Sequence, residues 1–391
     1  MGNLSKKLRV IVLGILGREL LAGVTWQVLH YLEGFRRLGH DIYYVEDTGD
    51  WTENYTLTVD YMARLMDWCG LSDRWAYRAA SQGGRIFGLS EFRVSRLFET
   101  ADAVVNVTAS TELREEHLRI PVRIYLETDP GLPQLAVAMG NRYTIDFLNA
   151  HTHHFTFAEN LGAPDCGLPP GPFDYYATRQ PVILGWWSSM AEQTTAEASQ
   201  PASKSRFTTI ATWQESAKDI TWNGETYTWS KHDQFLKFID LPCSTEQPLE
   251  LALACGDSKA IELLESHGWR VVDAIPLSRD IFPYRDYILG SRGEFTVAKD
   301  QVTRLCTGWF SDRSACYLAA GRPVITQDTG FSKLLPTGKG LFGFNTKEDI
   351  LAAIDSIHSD YKANCRAARE IAAEYFAAEK VIGKLLERIG C

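Results

Sequence analysis

Residues 307–330, TGWFSDRSACYLAAGRPVITQDTG, are the most informative stretch of the chain. A Gly-aromatic turn leads through Ser311 or Asp312, both good N-cap types, into a helix of small residues. Gly321 ends that helix, and Pro323, Val324 and Ile325 begin a buried strand. A helix start that points into a cleft offers free backbone N–H groups and partial positive charge, which suits a diphosphate. Arg313 and Ser314 in the first turn add charge-assisted and hydroxyl contacts. The competing reading of the same residues is an ordinary capped helix with a solvent-facing Arg.

His151, Thr152, His153 and His154 invite a metal reading, since imidazole binds zinc and copper. On a strand His151 and His153 share a face while His154 points away. No cysteine or carboxylate triplet accompanies them, so no metal site is expected. Other chemistries fail on spacing. Leu16 and Glu19 stand where G-x-G-x-x-G needs glycines after Gly14, and no Walker A sequence occurs, so neither a nicotinamide dehydrogenase nor a P-loop NTPase is expected. Trp187 stands where the G-x-S-x-G elbow needs Ser. The eight cysteines form no C-x-x-C pair and read as reduced thiols.

The elements that position these groups follow a βα pattern. Residues 8–13 (LRVIVL) read as a strand, a loop with Gly14, Gly17 and Gly23 follows, and residues 26–38 read as a helix. Residues 42–45 resume an extended run that ends in Glu46 and Asp47, completing a βαβ unit. Strand candidates at 103–107, 122–126, 154–158 and 182–186 give residues 1–187 a Rossmann-like layout. Residues 188–205 change abruptly to Ala, Ser, Thr and Glu and read as a linker or mobile loop. The pattern then restarts, with strands at 207–212, 249–255, 270–274, 294–298 and 323–326 and helices at 232–238, 258–267, 312–320, 347–358 and 361–388. Residues 206–371 thus form a second Rossmann-like domain, and 372–391 belong to a final helix. The expected fold is α/β, two such domains facing across a cleft, lined by the loops that follow the strands.

The 40 Lys plus Arg against 49 Asp plus Glu leave a formal charge of −9. No overall positive field exists to hold polyanions, so general nucleic-acid or membrane-surface binding is not expected. The apolar run at 10–16 falls far short of the roughly 20 residues of a membrane helix, and a cytoplasmic protein without a membrane span is expected.

The turn, the helix with Tyr317-Leu318-Ala319-Ala320-Gly321-Arg322-Pro323-Val324, and Asp328-Thr329-Gly330 resemble the donor-binding region of GT-B fold glycosyltransferases of the bacterial family 1/4-like kind, where the run reads E-A-x-A-x-G-x-P-V. The strand at 249–256, the helix at 347–357 and the long final helix are similar to that family's second domain. The resemblance implies that the second domain holds a nucleotide-diphosphate sugar, UDP-sugar first among them, and that the first domain receives a hydroxyl acceptor. Retaining members carry a pair of glutamates around the motif. Gly308 and Cys316 hold those positions here, so Asp312, Glu294 or Asp328 is expected to replace the ribose-binding carboxylate.

The leaving diphosphate needs cationic clamps, for which Lys231, Lys299, Arg304 and Arg313 are the candidates, with Ser311 and Ser314 beside them. An inverting transfer also needs a side chain that takes the acceptor proton. Asp129 in YLETDPG is the first choice, Glu19 in the glycine loop the second and Glu159 in FTFAEN the third. Gly17, His151 and His153 are expected on the acceptor side, the histidines as hydrogen-bonding groups. The expected protein is a hexosyl- or pentosyltransferase, monomeric or homodimeric, that needs neither metal nor other cofactor. An epimerase or hydrolase of the same fold, or a non-catalytic nucleotide-sugar binding protein, are the alternatives.

Overall fold

The computed structural model describes residues 7–49, 54–188, 206–215 and 217–391. The first sheet holds β1 (Arg9–Leu13), β2 (Asp41–Glu46), β3 (Trp75–Ala79), β4 (Arg85–Gly88), β5 (Ala103–Val107), β6 (Val122–Glu127), β7 (His153–Thr156) and β8 (Tyr175–Ala177). Their order is β4-β3-β2-β1-β5-β6-β7-β8, parallel throughout except for the β3–β4 hairpin. Helices cover both faces, so β1 and β5 read as continuous apolar runs rather than alternating ones.

The second half contains β9 (Phe207–Thr212), the hairpin β10 (Ile220–Trp222) and β11 (Glu225–Tyr227), then β12 (Leu249–Ala254), β13 (Arg270–Asp273), β14 (Gly293–Thr296), β15 (Val324–Gln327) and β16 (Leu341–Phe344). Six of these form a parallel sheet ordered β13-β12-β9-β14-β15-β16. In both sheets the strand order reverses beside the first strand, between β1 and β5 and between β9 and β14. Loops diverge there and leave a crevice beyond the carboxyl ends. The two crevices face each other.

Three sequence expectations need correction. Residues 182–186 are not a sheet strand: Val182 makes a single bridge to Ala377, and Leu184–Trp187 is a 3-10 turn. The run is apolar because Trp187 and Trp186 pack on Trp26, with ring centroids 5.1 and 5.7 Å away, and apolarity alone does not distinguish such burial from a sheet. The final helix is broken into Tyr361–Ile371, a π turn at Ala372–Phe376 and Ala378–Arg388. Strands β3, β4, β8 and β16 and the β10–β11 hairpin are additions, all of six residues or fewer. Most of the expected linker, residues 189–205, lies outside the described residues.

The last helix packs on the helix Ala22–Arg37 of the first half. A Cβ at Gly34 would lie 2.3 Å from Ile382 Cδ1, and Arg37 Nη1 contacts Glu379 Oε1 at 3.1 Å. No helix among the described residues is long and apolar enough to cross a membrane.

Candidate active site

The facing crevices form two adjoining chambers. The one on the second sheet, about 920 Å³, is lined by Ile210, Thr212, Lys231, Tyr284, Ser311 and Arg313. The one on the first sheet, about 670 Å³, is lined by Tyr125, Glu127, Tyr143, Phe147 and Phe157. Glu19, Asp129, Trp229, Lys299, Trp309 and Asp312 line both and mark the junction. Trp309 Nε1 donates to the Thr128 carbonyl at 2.9 Å, which ties the two halves together beside it.

The helix Asp312–Ala319 starts at this junction. Ser311 occupies the N-cap with extended backbone, and its hydroxyl makes no cap bond. Asp312 Oδ1 accepts from the Arg313 N–H at 2.9 Å. Burial pushes the Asp312 carboxyl above its ordinary range, against the pull of Arg313.

Arg313 and Glu294, expected as ligand groups, bind each other instead. Arg313 Nε meets Glu294 Oε1 at 2.6 Å, Nη1 donates to the Ile210 carbonyl at 2.6 Å, and Nη2 to Thr296 Oγ1 at 2.9 Å. Glu294 is wholly buried and lines neither chamber, so it is closed to a ribose. The guanidinium acts as a clamp that fixes the helix start to β9 and β14. Ser314 is also wholly buried and lines neither chamber. Asp328 is used locally: it accepts from the Gly330 N–H at 2.9 Å and from the Ser332 hydroxyl, capping the short turn Phe331–Lys333.

Lys231 differs from the other cations. It lines the second-sheet chamber, and its ammonium has no ion-pair or hydrogen-bond partner among the described residues. Burial, then the neighbouring Arg313 and Lys299, push its ammonium well below the usual lysine range. Such a group gains most from an incoming anion. Lys299 Nζ lies 3.3 Å from the centroid of the Trp229 ring and donates to Asp129 Oδ1 at 2.9 Å. Arg304 is turned to Asp300 and Glu225.

Of the three proposed bases, Asp129 and Glu19 line the junction. Burial raises Asp129, but Lys299, Lys218 and Lys231 together hold its carboxyl below the ordinary value. Such a group is a weak proton acceptor. Glu19 is paired with Arg18 at 3.5 Å. Glu159 lies outside both chambers and is bound to Arg179.

The acceptor-side expectations are corrected. Gly17 packs beneath its loop, where a Cβ would lie 2.5 Å from Thr58 Cγ2, and its N–H donates to Glu46 Oε2 at 2.7 Å. Glu46 also accepts from Arg18 N and the Tyr44 hydroxyl, so this acid at the end of β2 shapes the loop. His153 opens β7 at the amino end of the sheet, opposite the cleft. His151 lies behind the chamber wall, where Asn106 Nδ2 donates to its Nε2 at 3.1 Å and its Nδ1 bonds the Phe147 carbonyl at 3.0 Å. Burial lowers its pKa to about 4. Strand polarity decides both positions.

Sequence reading missed Glu127, the last residue of β6. Its Oε2 accepts from Gln134 Nε2 at 2.6 Å and from the Thr156 hydroxyl, while Oε1 has only the Tyr125 hydroxyl at 3.3 Å. Burial lifts its pKa to about 7 against those bonds. The available signal was its place at the end of a strand candidate that leads to the cleft, two residues before Asp129.

The absent glutamate pair has a steric cause at one position. Gly308 has φ +78°, and a Cβ there would lie 2.6 Å from the Asn160 backbone N. Asn160 N donates to the Thr307 carbonyl at 3.0 Å, so the halves meet there too closely for any side chain at 308. Cys316 is buried inside the helix.

No protein-family model matches the chain, and no curated sequence matches it significantly. Solved structures do. Anabaena HepE, solved with UDP and glucose, aligns over 98% of this chain and 99% of its own, with a TM-score of 0.56 and 10% identity. An alpha-glucosyltransferase solved with UDP and a 13-mer DNA containing an HMU base aligns over 98% and 100%, with a TM-score of 0.58 and 10% identity. AviGT4, a glycosyltransferase involved in avilamycin A biosynthesis, aligns over 97% and 96%, with a TM-score of 0.54 and 12% identity. The chain has the GT-B fold of these glycosyltransferases, two Rossmann-like domains facing across a cleft.

Proposed function

We propose that the protein is a glycosyltransferase that moves a sugar from a nucleotide diphosphate, UDP foremost, to an acceptor hydroxyl. The observation that carries this reading is Lys231, a cation without a partner among the described residues, in the same chamber as the start of the helix Asp312–Ala319. A diphosphate placed there would receive backbone N–H groups, helix-dipole charge and an ammonium whose proton it would stabilise. Lys231, Lys299 and the helix start supply the positive charge that the leaving group needs, so a metal is not required in this reading. Residues 1–187 would present the acceptor, 206–371 would hold the donor, and 372–391 would brace the two. We assign the protein to the cytoplasm, as a monomer or homodimer.

Arg313 lines the same chamber but is already held by Glu294, Thr296 and the Ile210 carbonyl, so Lys231 is the residue to probe. Thermal unfolding is measured with UDP, GDP, ADP, CDP and TDP for the wild type and Lys231→Ala. A nucleotide at 100 times its dissociation constant adds about 2.7 kcal/mol to the wild type. One nucleotide should stabilise the wild type and the variant far less. If no nucleotide stabilises the wild type, the donor assignment is wrong.

A further inference from the structure

The ion pair between Asp129 and Lys299 sits where the two chambers join. Asp129 stands in the turn after β6 of the first half and Lys299 just after β14 of the second, and both line both chambers. The Asp129 side chain is 44% exposed, and Lys299 is its one hydrogen-bond and ion-pair partner among the described residues. Burial raises its carboxyl, and Lys299, ahead of Lys218 and Lys231, lowers it.

Lys299 is placed to serve either of two anions. Its ammonium lies 3.3 Å from the centroid of the Trp229 ring, and Trp229 also lines both chambers. The ring face is a surface on which an ammonium shifts from one chamber toward the other without losing all favourable contact. On the second-sheet side stands Lys231, pressed by burial and then by the charges of Arg313 and Lys299. One diphosphate, multiply charged and rich in acceptor oxygens, answers Lys231 and Lys299 together. The Asp129 carboxylate answers only one of them.

We infer that Asp129 competes with the donor for Lys299: the diphosphate takes the ammonium over, and the freed carboxylate is left facing the first-sheet chamber. This rests on the glycosyltransferase reading above. In the empty protein the pair spans the junction, and the donor's apparent affinity is lowered by the fraction of molecules in which Lys299 is so engaged. Once Lys299 has left, the largest pull on the Asp129 proton affinity is gone, and the carboxyl becomes a better proton acceptor. Filling of the second chamber thereby prepares the first.

The test is the dissociation constant of UDP, or of whichever of GDP, ADP, CDP and TDP stabilises the wild type in its place, measured by calorimetry on the full chain. Asp129→Asn keeps the shape of the side chain and removes its charge, and should tighten binding about threefold to tenfold. Lys299→Met keeps a long apolar stem against Trp229 and should weaken binding about tenfold. The double variant should bind like Lys299→Met, because the gain from Asp129→Asn acts through Lys299. Glu215→Gln is the control for charge alone: Glu215 lines both chambers and acts on Lys299 without a hydrogen bond, so its loss should change affinity less than about twofold. Equal or weaker binding by Asp129→Asn overturns the competition. So does the same gain persisting in the double variant, or an equal gain in Glu215→Gln. The Glu215→Gln comparison stands even where Lys299→Met fails to fold. If no nucleotide binds the wild type, the donor reading falls and this inference with it.

Discussion

Glu127→Gln should make the protein more stable above neutral pH and leave it unchanged in acid. Glu127 is only 3% exposed, and burial lifts its pKa from 4.5 to about 7, against the hydrogen bonds from Thr156, Gln134 and Tyr125. A carboxyl that is a weaker acid folded than unfolded opposes folding wherever the unfolded chain is ionised. The penalty is therefore absent below about pH 4.5, grows between 4.5 and 7, and is constant above the folded value. At about 1.4 kcal/mol for each tenfold change in proton affinity, it reaches about 3 kcal/mol at pH 8. Glutamine keeps an acceptor for Gln134 and Thr156 and carries no charge. Urea unfolding of wild type and variant from pH 5 to pH 8, followed by tryptophan fluorescence, reads the difference directly. The variant should gain steadily on the wild type as pH rises. Parallel profiles, or a variant less stable at every pH, would refute the claim that this carboxyl is held partly protonated in the fold.

Glu294→Gln leaves Arg313 as a buried charge without its partner and should cost about 3–5 kcal/mol, measured by denaturant midpoint at pH 7. An exposed, ligand-facing Arg313 would predict almost no change. Gly308→Ala must hold φ +78° and meet the Asn160 backbone, so it should lower stability by about 1–3 kcal/mol in the same assay. Gly34→Leu drives a side chain into Ile382 and Ala378 of the last helix and should cost about 1–3 kcal/mol. Unchanged thermal unfolding of that variant would mean the last helix is loosely held.

The order of strands and helices in the second half was largely legible, because buried parallel strands are apolar runs closed by Gly, Pro and capping residues. The helix Asp312–Ala319 and strand β15 (Val324–Gln327) stand within one residue of where those signals put them. The first half was harder. Strands β3 and β4 form an edge hairpin of mixed composition, and the apolar run at 182–186 feeds an aromatic cluster rather than the sheet. Of the candidate residues, Asp129, Glu19 and Lys299 follow strand ends of the two sheets, and together with Lys231 and Asp312 they line the cleft.

The sequence by itself determined the fold class and the side of each sheet on which ligand-facing loops must gather, since strand periodicity and chain direction are local properties. Which of those groups remain available was decided only in three dimensions. Arg313 and Glu294 are 19 residues apart, and Asp129 and Lys299 are 170 apart, yet strand order brings each pair into contact. Glu127 owes its raised pKa to burial, which outweighs the opposing hydrogen bonds from Thr156 on the neighbouring strand and Gln134 on the following helix. His151 and His153 lost their expected role because strand direction set one at the amino end and packed the other behind the wall. Charge, burial and partner together decide whether a side chain can do chemistry, and all three depend on contacts between residues far apart in the chain.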